Sequence, residues 1–405
     1  MTEREQRLNS SLVVVMAVAI GIIVANLYYL QPLLLQVRSG FHVSTASTSL
    51  LITLIQTGYV IGLFFILPLG DLFVRRNLIV TIFLIAALAM AGASFVHSFG
   101  LFAVLTVVIG LSSVAGQIII PFGADLAPDA QRGRVVGKLM TGLLGGVLLS
   151  RTLSGVLSEA IGWRGVYLVS SGLLVATALV LFFVLPQERS RDRYEYRHLI
   201  TGGINMMRRS RELRRRGWFG GTAFGAFSVL WSTLAFHLSS APFHYSSGVI
   251  GLFGLFGMAG IVSANVAGRL ADEGRASLAT RVAAFLIAAG FAVLYVGHTN
   301  VWFIVAGTII LDAGAQGIHV SNQSIIYALA PNQRSTINSI YMVCFFTGAS
   351  LGSLFSGYAY AHYGWNGTCA VGGIFGLATI VPALWWRTSK EGAVSLSPVT
   401  GSASS

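Results

Sequence analysis

Two residues of opposite charge, Asp312 and Arg151, each lie near the middle of a long apolar run. Of fourteen acidic and 26 basic residues, they alone are placed this way. A charge at that depth in lipid is costly and is retained for function by default. Gln316, His319 and Gln323 follow Asp312 at i+4, i+7 and i+11, so four polar groups share one helical face. Thinner polar sets recur in other apolar runs: Asn26 with Tyr29, then Thr106, Ser113 and Gln117, then Trp231 with His237. Lipid would penalise such faces, so they are expected to line an internal cavity. Aromatic walls with scattered amides and one acid suit a modest-sized organic solute. The expected solute-binding set is therefore Asn26, Tyr29, Gln117, Trp231, His237, Asp312, Gln316, His319 and Gln323. Asp312, modulated by Arg151, is the expected proton carrier, with His319 as a second candidate. The competing readings are a permanent Asp312–Arg151 ion pair and a His319 that only hydrogen-bonds solute.

The bulk composition requires the same solvent. Hydrophobic residues make up 55% of the chain and charged residues 10%, with a mean hydropathy of +0.75. A water-soluble surface cannot be covered with so little charge, so the chain is expected to dissolve in the bilayer. Cys344 and Cys369 both lie in apolar runs, with neither a disulfide framework nor metal-ligand spacing. No nucleophile with its base, metal cluster or phosphate loop is evident, so an enzyme is not expected, and neither is a cofactor. Gly251, Gly254, Gly257 and Gly260 imitate a nucleotide-loop spacing, but no strand precedes them. Small residues that let membrane helices approach are the better reading. The formal charge of +12 also does not imply nucleic acid. Ten arginines fall between Arg189 and Arg216, as expected of a cytoplasmic loop beside anionic lipid.

Twelve segments are long enough to cross a bilayer: 11–36, 47–69, 77–97, 100–122, 136–160, 165–186, 217–241, 247–270, 278–297, 301–327, 335–360 and 366–386. The first reads as a span rather than a cleaved leader, since others follow without a clear cleavage site. With both termini inside, 23 of the basic residues fall on the cytoplasmic side and only Arg38 and Arg164 outside, which sets the orientation. Leu126-Ala127-Pro128 recurs as Leu329-Ala330-Pro331, and Ser154-Gly155 as Ser356-Gly357. Gly162-Trp163-Arg164-Gly165 recurs as Gly364-Trp365-Asn366-Gly367. The offset is close to 202 throughout. Six spans per repeat keep both halves in one orientation, the arrangement of parallel repeats around a midplane site. The expected fold is an all-α membrane protein of 12 transmembrane helices in two parallel six-helix repeats. Its expected parts are an N-terminal bundle (1–186), a cytoplasmic basic linker (187–216), a C-terminal bundle (217–388) and a disordered cytoplasmic tail (389–405).

The loop Pro68-Leu69-Gly70-Asp71-Leu72-Phe73-Val74-Arg75-Arg76 resembles the signature loop of the major facilitator superfamily. Gly268-Arg269-Leu270-Ala271-Asp272-Glu273-Gly274-Arg275 resembles its repeat. More narrowly, Ala25-Asn26-Leu27-Tyr28-Tyr29-Leu30-Gln31-Pro32 and His319-Val320-Ser321-Asn322-Gln323 look like a bacterial branch described as arabinose-efflux-permease-like, related to drug/proton antiporters. The resemblance implies a secondary transporter of the cell inner membrane, working as a monomer on a small molecule and driven by the proton gradient. It implies that spans one, four, seven and ten line the cavity. It also implies a cytoplasmic gate of Asp71, Arg75, Arg76, Asp125, Asp272 and Arg275, since carboxylates suit helix N-termini and arginine bridges acids. This chain departs from the family where Leu67 and Val74 replace glycine, where Thr106 replaces an arginine, and where Ser150-Arg151 replaces Gly-Pro of an antiporter motif. Proton-coupled efflux is the expected activity. Symport or facilitated diffusion of a sugar or organic acid is the alternative, and a non-transporting membrane sensor is the alternative from another class.

Overall fold

The computed structural model describes residues 10–128, 131–187, 196–329 and 334–385; the tail expected at 389–405 lies outside them. Every long element is a helix. In hydrocarbon each backbone N–H and C=O needs an internal partner, and a helix supplies these within one segment. Ten helices among the described residues are long and apolar enough to cross a membrane. Two of them, Arg132–Val184 and Arg334–Trp385, run 53 and 52 residues. At 1.5 Å per residue each is about 80 Å long, more than twice a hydrocarbon core. Each is broken once, at Gly162 (φ 70°) and Gly364 (φ 60°). A side chain at positive φ meets the adjacent carbonyl, so glycine suits both corners. Two helices therefore become four spans, and the total is twelve. The corner glycines stand 202 residues apart, the same offset as the sequence repeat.

The repeat is also visible in packing. In the first half, Gly146 of the fifth span lies against the Gly21 backbone carbonyl of the first. In the second half, Gly348 of the eleventh lies against the Gly221 carbonyl of the seventh. No Cβ fits at either crossing, and this brings the two backbones together. The seventh span, Arg211–Ser239, is enclosed along its membrane-crossing length.

Three elements differ from the sequence expectation. The first span, Ser10–Phe41, is interrupted at residues 26–29, where Leu27 N bonds Val24 O at 3.1 Å and Tyr28 N bonds Ala25 O at 2.9 Å. The basic linker is not a plain loop, because Tyr196–Arg209 form a helix. The seventh span begins at Arg211, six residues early, capped by Ser210 Oγ accepting from Leu213 N at 3.1 Å. This capped start carries Arg216 into the protein, where it is 2% exposed, so it is no part of a solvated basic patch.

Candidate functional site

The two buried charges lie where the halves meet, but they do not form an ion pair. Arg151 Nε donates to Gln31 Oε1 at 2.5 Å. Its guanidinium carbon lies 4.1 Å from the Trp231 ring centre, 4.8 Å from Tyr28 and 5.6 Å from Phe227. Cation–π contact of this kind gains when it is desolvated, and Arg151 is 2% exposed. Its NH2 atom is buried with no protein partner. Trp231 Nε1 donates to Asp312 Oδ1 at 3.3 Å. The indole thus stands between the charges, face to the guanidinium and edge to the carboxylate. The eighth span closes the junction with glycine: a Cβ at Gly254 would be 2.9 Å from Arg151 Cβ, and one at Gly257 would be 3.4 Å from Asp312 Oδ2.

Further along the tenth span, the stripe continues. Gln316 packs against Gly260. His319 Nδ1 is 3.2 Å from the Tyr341 hydroxyl, and its ring is 4.6 Å from that of Phe345. Asn322 Nδ2 donates to the Tyr341 oxygen at 3.4 Å, which leaves the hydroxyl proton for His319 Nδ1. Gln323 Nε2 donates to Asn338 Oδ1 at 3.4 Å. Gln117 is half-buried and lies near Tyr59, between the second and fourth spans.

Three expected solute-binding residues lie elsewhere. Asn26 accepts from Ser170 Oγ at 3.0 Å and so turns to the sixth span, and Tyr29 lies beside the same serine. The break at 26–29 shifts the helical register, so Tyr28 and Gln31 take the inward positions instead. His237 lies at the far end of the seventh span. It is stacked 3.9 Å from Trp365, with Nε2 2.8 Å from His298 O.

Across the interface the halves are joined at the end away from the linker. Gln36 Nε2 donates to Ser158 Oγ at 2.9 Å and Ser247 Oγ at 3.1 Å, and Gly248 N donates to Glu159 Oε1 at 2.9 Å. Nearer the middle, Gln56 Nε2 donates to Ser228 Oγ at 2.8 Å, and Ser353 Oγ donates to Gln56 Oε1 at 3.2 Å. Tyr59 and Phe346 meet ring to ring at 4.4 Å. Beyond them, toward the linker, the second and eleventh spans part. A cavity of about 380 Å³ opens between Leu63 and Leu67 on one side and Ile340 and Val343 on the other, roofed by Ile204 and Met207 of the linker helix.

The expected gate forms in part. Arg75 NH1 lies 2.8 Å from Asp125 Oδ2, and NH2 lies 3.2 Å from Asp71 Oδ1. Its Nε donates to Gly70 O at 3.0 Å. These three bonds stay within the first half and brace it. Arg76 stands apart, its guanidinium 4.9 Å from the Phe182 ring. Arg275 is exposed, 3.8 Å from Glu273 Oε2; the side chain of Asp272 lies outside the described residues.

Sequence reasoning missed Gln31, Gln56 and Arg216. Each is a single long polar residue within or at the end of an apolar run, and a search for those would have found the first two. Arg216 was masked by its basic neighbours. It places Nε and NH2 at 2.6 Å from Glu212 Oε1, and NH1 at 3.4 Å from Thr280 Oγ1 and Asn322 Oδ1.

The comparisons agree with this architecture. The sequence model of the Major Facilitator Superfamily matches residues 16–322 and 282–402. The uncharacterized transporter YgaY of Escherichia coli O157:H7 is 40% identical over 387 residues, covering 96% of this chain and 98% of its own. A probable transporter of Streptomyces coelicolor is 31% identical, covering 88% of this chain and 83% of its own. Among solved structures, a bacterial homolog of the human lysosomal transporter Spinster, inward-facing and unoccupied, superposes with a TM-score of 0.70. It is 11% identical and covers 93% of this chain and 94% of that one, so it speaks for the fold alone. With twelve spans in two repeats, a site between the halves, a family match over most of its length and a relative aligned almost end to end, this membrane transporter belongs to the Major Facilitator Superfamily.

Proposed function

We propose that the protein is a proton-driven antiporter exporting a small organic solute, drug-like or sugar-like, by alternating access. It would act as a monomer in the inner membrane with both termini cytoplasmic. The proton gradient is the energy source, and no cofactor takes part. Asp312 carries the coupling proton. The observation that carries this reading is the carboxylate of Asp312, 2% exposed at the meeting of the halves and bonded by Trp231 rather than paired with a base. A carboxylate without a salt-bridge partner in a low-dielectric site is open to protonation. The basic linker marks the cytoplasmic end by the positive-inside rule. On that orientation the outer side is sealed and the cytoplasmic side open, as in the Spinster homolog.

The partnerless NH2 of Arg151 supports one rival: symport of an organic acid whose carboxylate would meet that guanidinium. Flux in proteoliposomes under an imposed pH gradient separates the two. With an inward-directed proton gradient, antiport expels solute and symport accumulates it. In either case Asp312→Asn is expected to abolish the response to the gradient while leaving slow equilibration. Unchanged gradient-driven accumulation in the variant would remove Asp312 from the mechanism.

A further inference from the structure

An antiporter must not cross the membrane empty and unprotonated, or the gradient leaks away. Something in the empty site must hold one face shut until a proton or a solute arrives. The Arg151–Trp231–Asp312 junction has the connectivity for this. Arg151 belongs to the fifth span, in the first half; Trp231 and Asp312 belong to the seventh and tenth, in the second. The guanidinium–indole contact at 4.1 Å therefore crosses between halves. Beside it Thr152 Oγ1 donates to Gly251 O at 3.0 Å, and about two turns farther out Gln36, held by Ser158, donates to Ser247 and closes the outer end. Rocking the outer side open must separate Arg151 from Trp231.

We infer that Trp231 is a positioning residue that couples the charge of Asp312 to the outer seal, locking the empty, unprotonated carrier inward-facing. This rests on Asp312 as the proton site. An ionised Asp312 accepts the indole N–H, which holds the ring edge-on to the tenth span and its face flat against the guanidinium. Donation to an anion enriches the indole π-system and strengthens its hold on the cation. The same negative charge attracts Arg151 across the interface. Protonation removes both effects. So would a solute that inserts between Trp231 and Asp312, so either cargo frees the seal and the empty state does not. The other ionisable groups facing the junction are Tyr28 against Arg151 and, two turns along the tenth span, His319; the eighth span presents only Gly254 and Gly257 there.

The test needs no solute. Ser247→Cys, in a background with Cys344 and Cys369 changed to serine, is labelled in whole cells by a membrane-impermeant maleimide over a range of pH. With Trp231 present, labelling is expected to be low at alkaline pH and to rise on acidification. Trp231→Phe keeps an aromatic face but loses the N–H. It is expected to raise alkaline labelling by about threefold or more and to flatten the pH dependence. Trp231→Tyr, which keeps a ring and a donor, is expected to restore part of that dependence. Asp312→Asn should label at the acidic level at every pH. If Trp231→Phe follows the unsubstituted profile while Asp312→Asn is flat, Trp231 is not the coupling element and the proton site stands. If Trp231→Phe fails to insert, a Trp231→Tyr profile identical to the unsubstituted one overturns the inference, and a weakened pH dependence in the tyrosine variant supports it.

Discussion

Arg216 illustrates how one side chain escapes a sequence reading. In the run Arg214-Arg215-Arg216 all three residues look alike. The helix starting at Arg211 turns each by about 100° from the last, so they separate in space. Arg214 reaches back to the Met207 carbonyl at 3.1 Å, while Arg216 enters the second half between the seventh, ninth and tenth spans. Its substitution by methionine would leave Asn322 and Thr280 short of a partner and Glu212 with only the longer contact to Arg215 at 3.6 Å. A loss of about 1–3 kcal/mol is expected, read as a lower thermal midpoint of the purified protein, whereas Arg214→Met should leave the midpoint unchanged. Asn322 also donates to Tyr341, which bonds His319. The same variant should therefore disturb the cavity as well as the fold.

At the scale of elements, glycines at backbone crossings decide which helices meet. Gly145 and Gly146 are neighbours with opposite surroundings: a Cβ at Gly145 meets nothing within 4 Å, and one at Gly146 runs into the Gly21 backbone. Gly145→Ala is expected to be neutral or to gain up to about 1 kcal/mol from helix propensity. Gly146→Ala should prise the first and fifth spans apart and lower the yield of monodisperse protein by size-exclusion chromatography. Such crossings were legible only as glycine-rich runs. The twelve spans were legible to within a few residues because length and apolarity alone define them. The interruption at residues 26–29 was marked only by Pro32, which has no N–H for the Tyr28 carbonyl and whose ring crowds it. That single missed turn is why Asn26 and Tyr29 were expected at the site, when it is Tyr28 and Gln31 that face Arg151.

For the whole molecule, the proposed alternation requires the second and eleventh spans to close at the linker end, where the linker helix now fills the gap. Its residues Ile204 and Met207 line the cavity, a Cβ at Gly203 would lie 3.3 Å from Ile340 Cδ1, and Tyr196 donates to Phe65 O at 2.9 Å. A short thiol-specific bridge between Gly203→Cys and Ile340→Cys is expected to hold the cavity open and stop transport, with activity restored by reductant. Transport that survives the bridge would show that the helix stays in place through the cycle. The parallel repeat was legible from its constant offset, because matched corners and crossings need matched residues. The state of the carrier was not legible. Arg75 with Asp71 and Asp125 read as a closed latch, yet the bonds described stay in one half, and which face is open depends on contacts between halves that no single segment encodes.

The two corner glycines carry a mechanical consequence. Gly162 and Gly364 are single-residue joints, so the fifth span passes into the sixth, and the eleventh into the twelfth, with no slack between them. A push delivered at Arg151 on the fifth span therefore travels directly into the sixth, where Ser170 holds Asn26 of the first span. Each half behaves less like six rods on flexible strings than like a folded rule with one stiff corner.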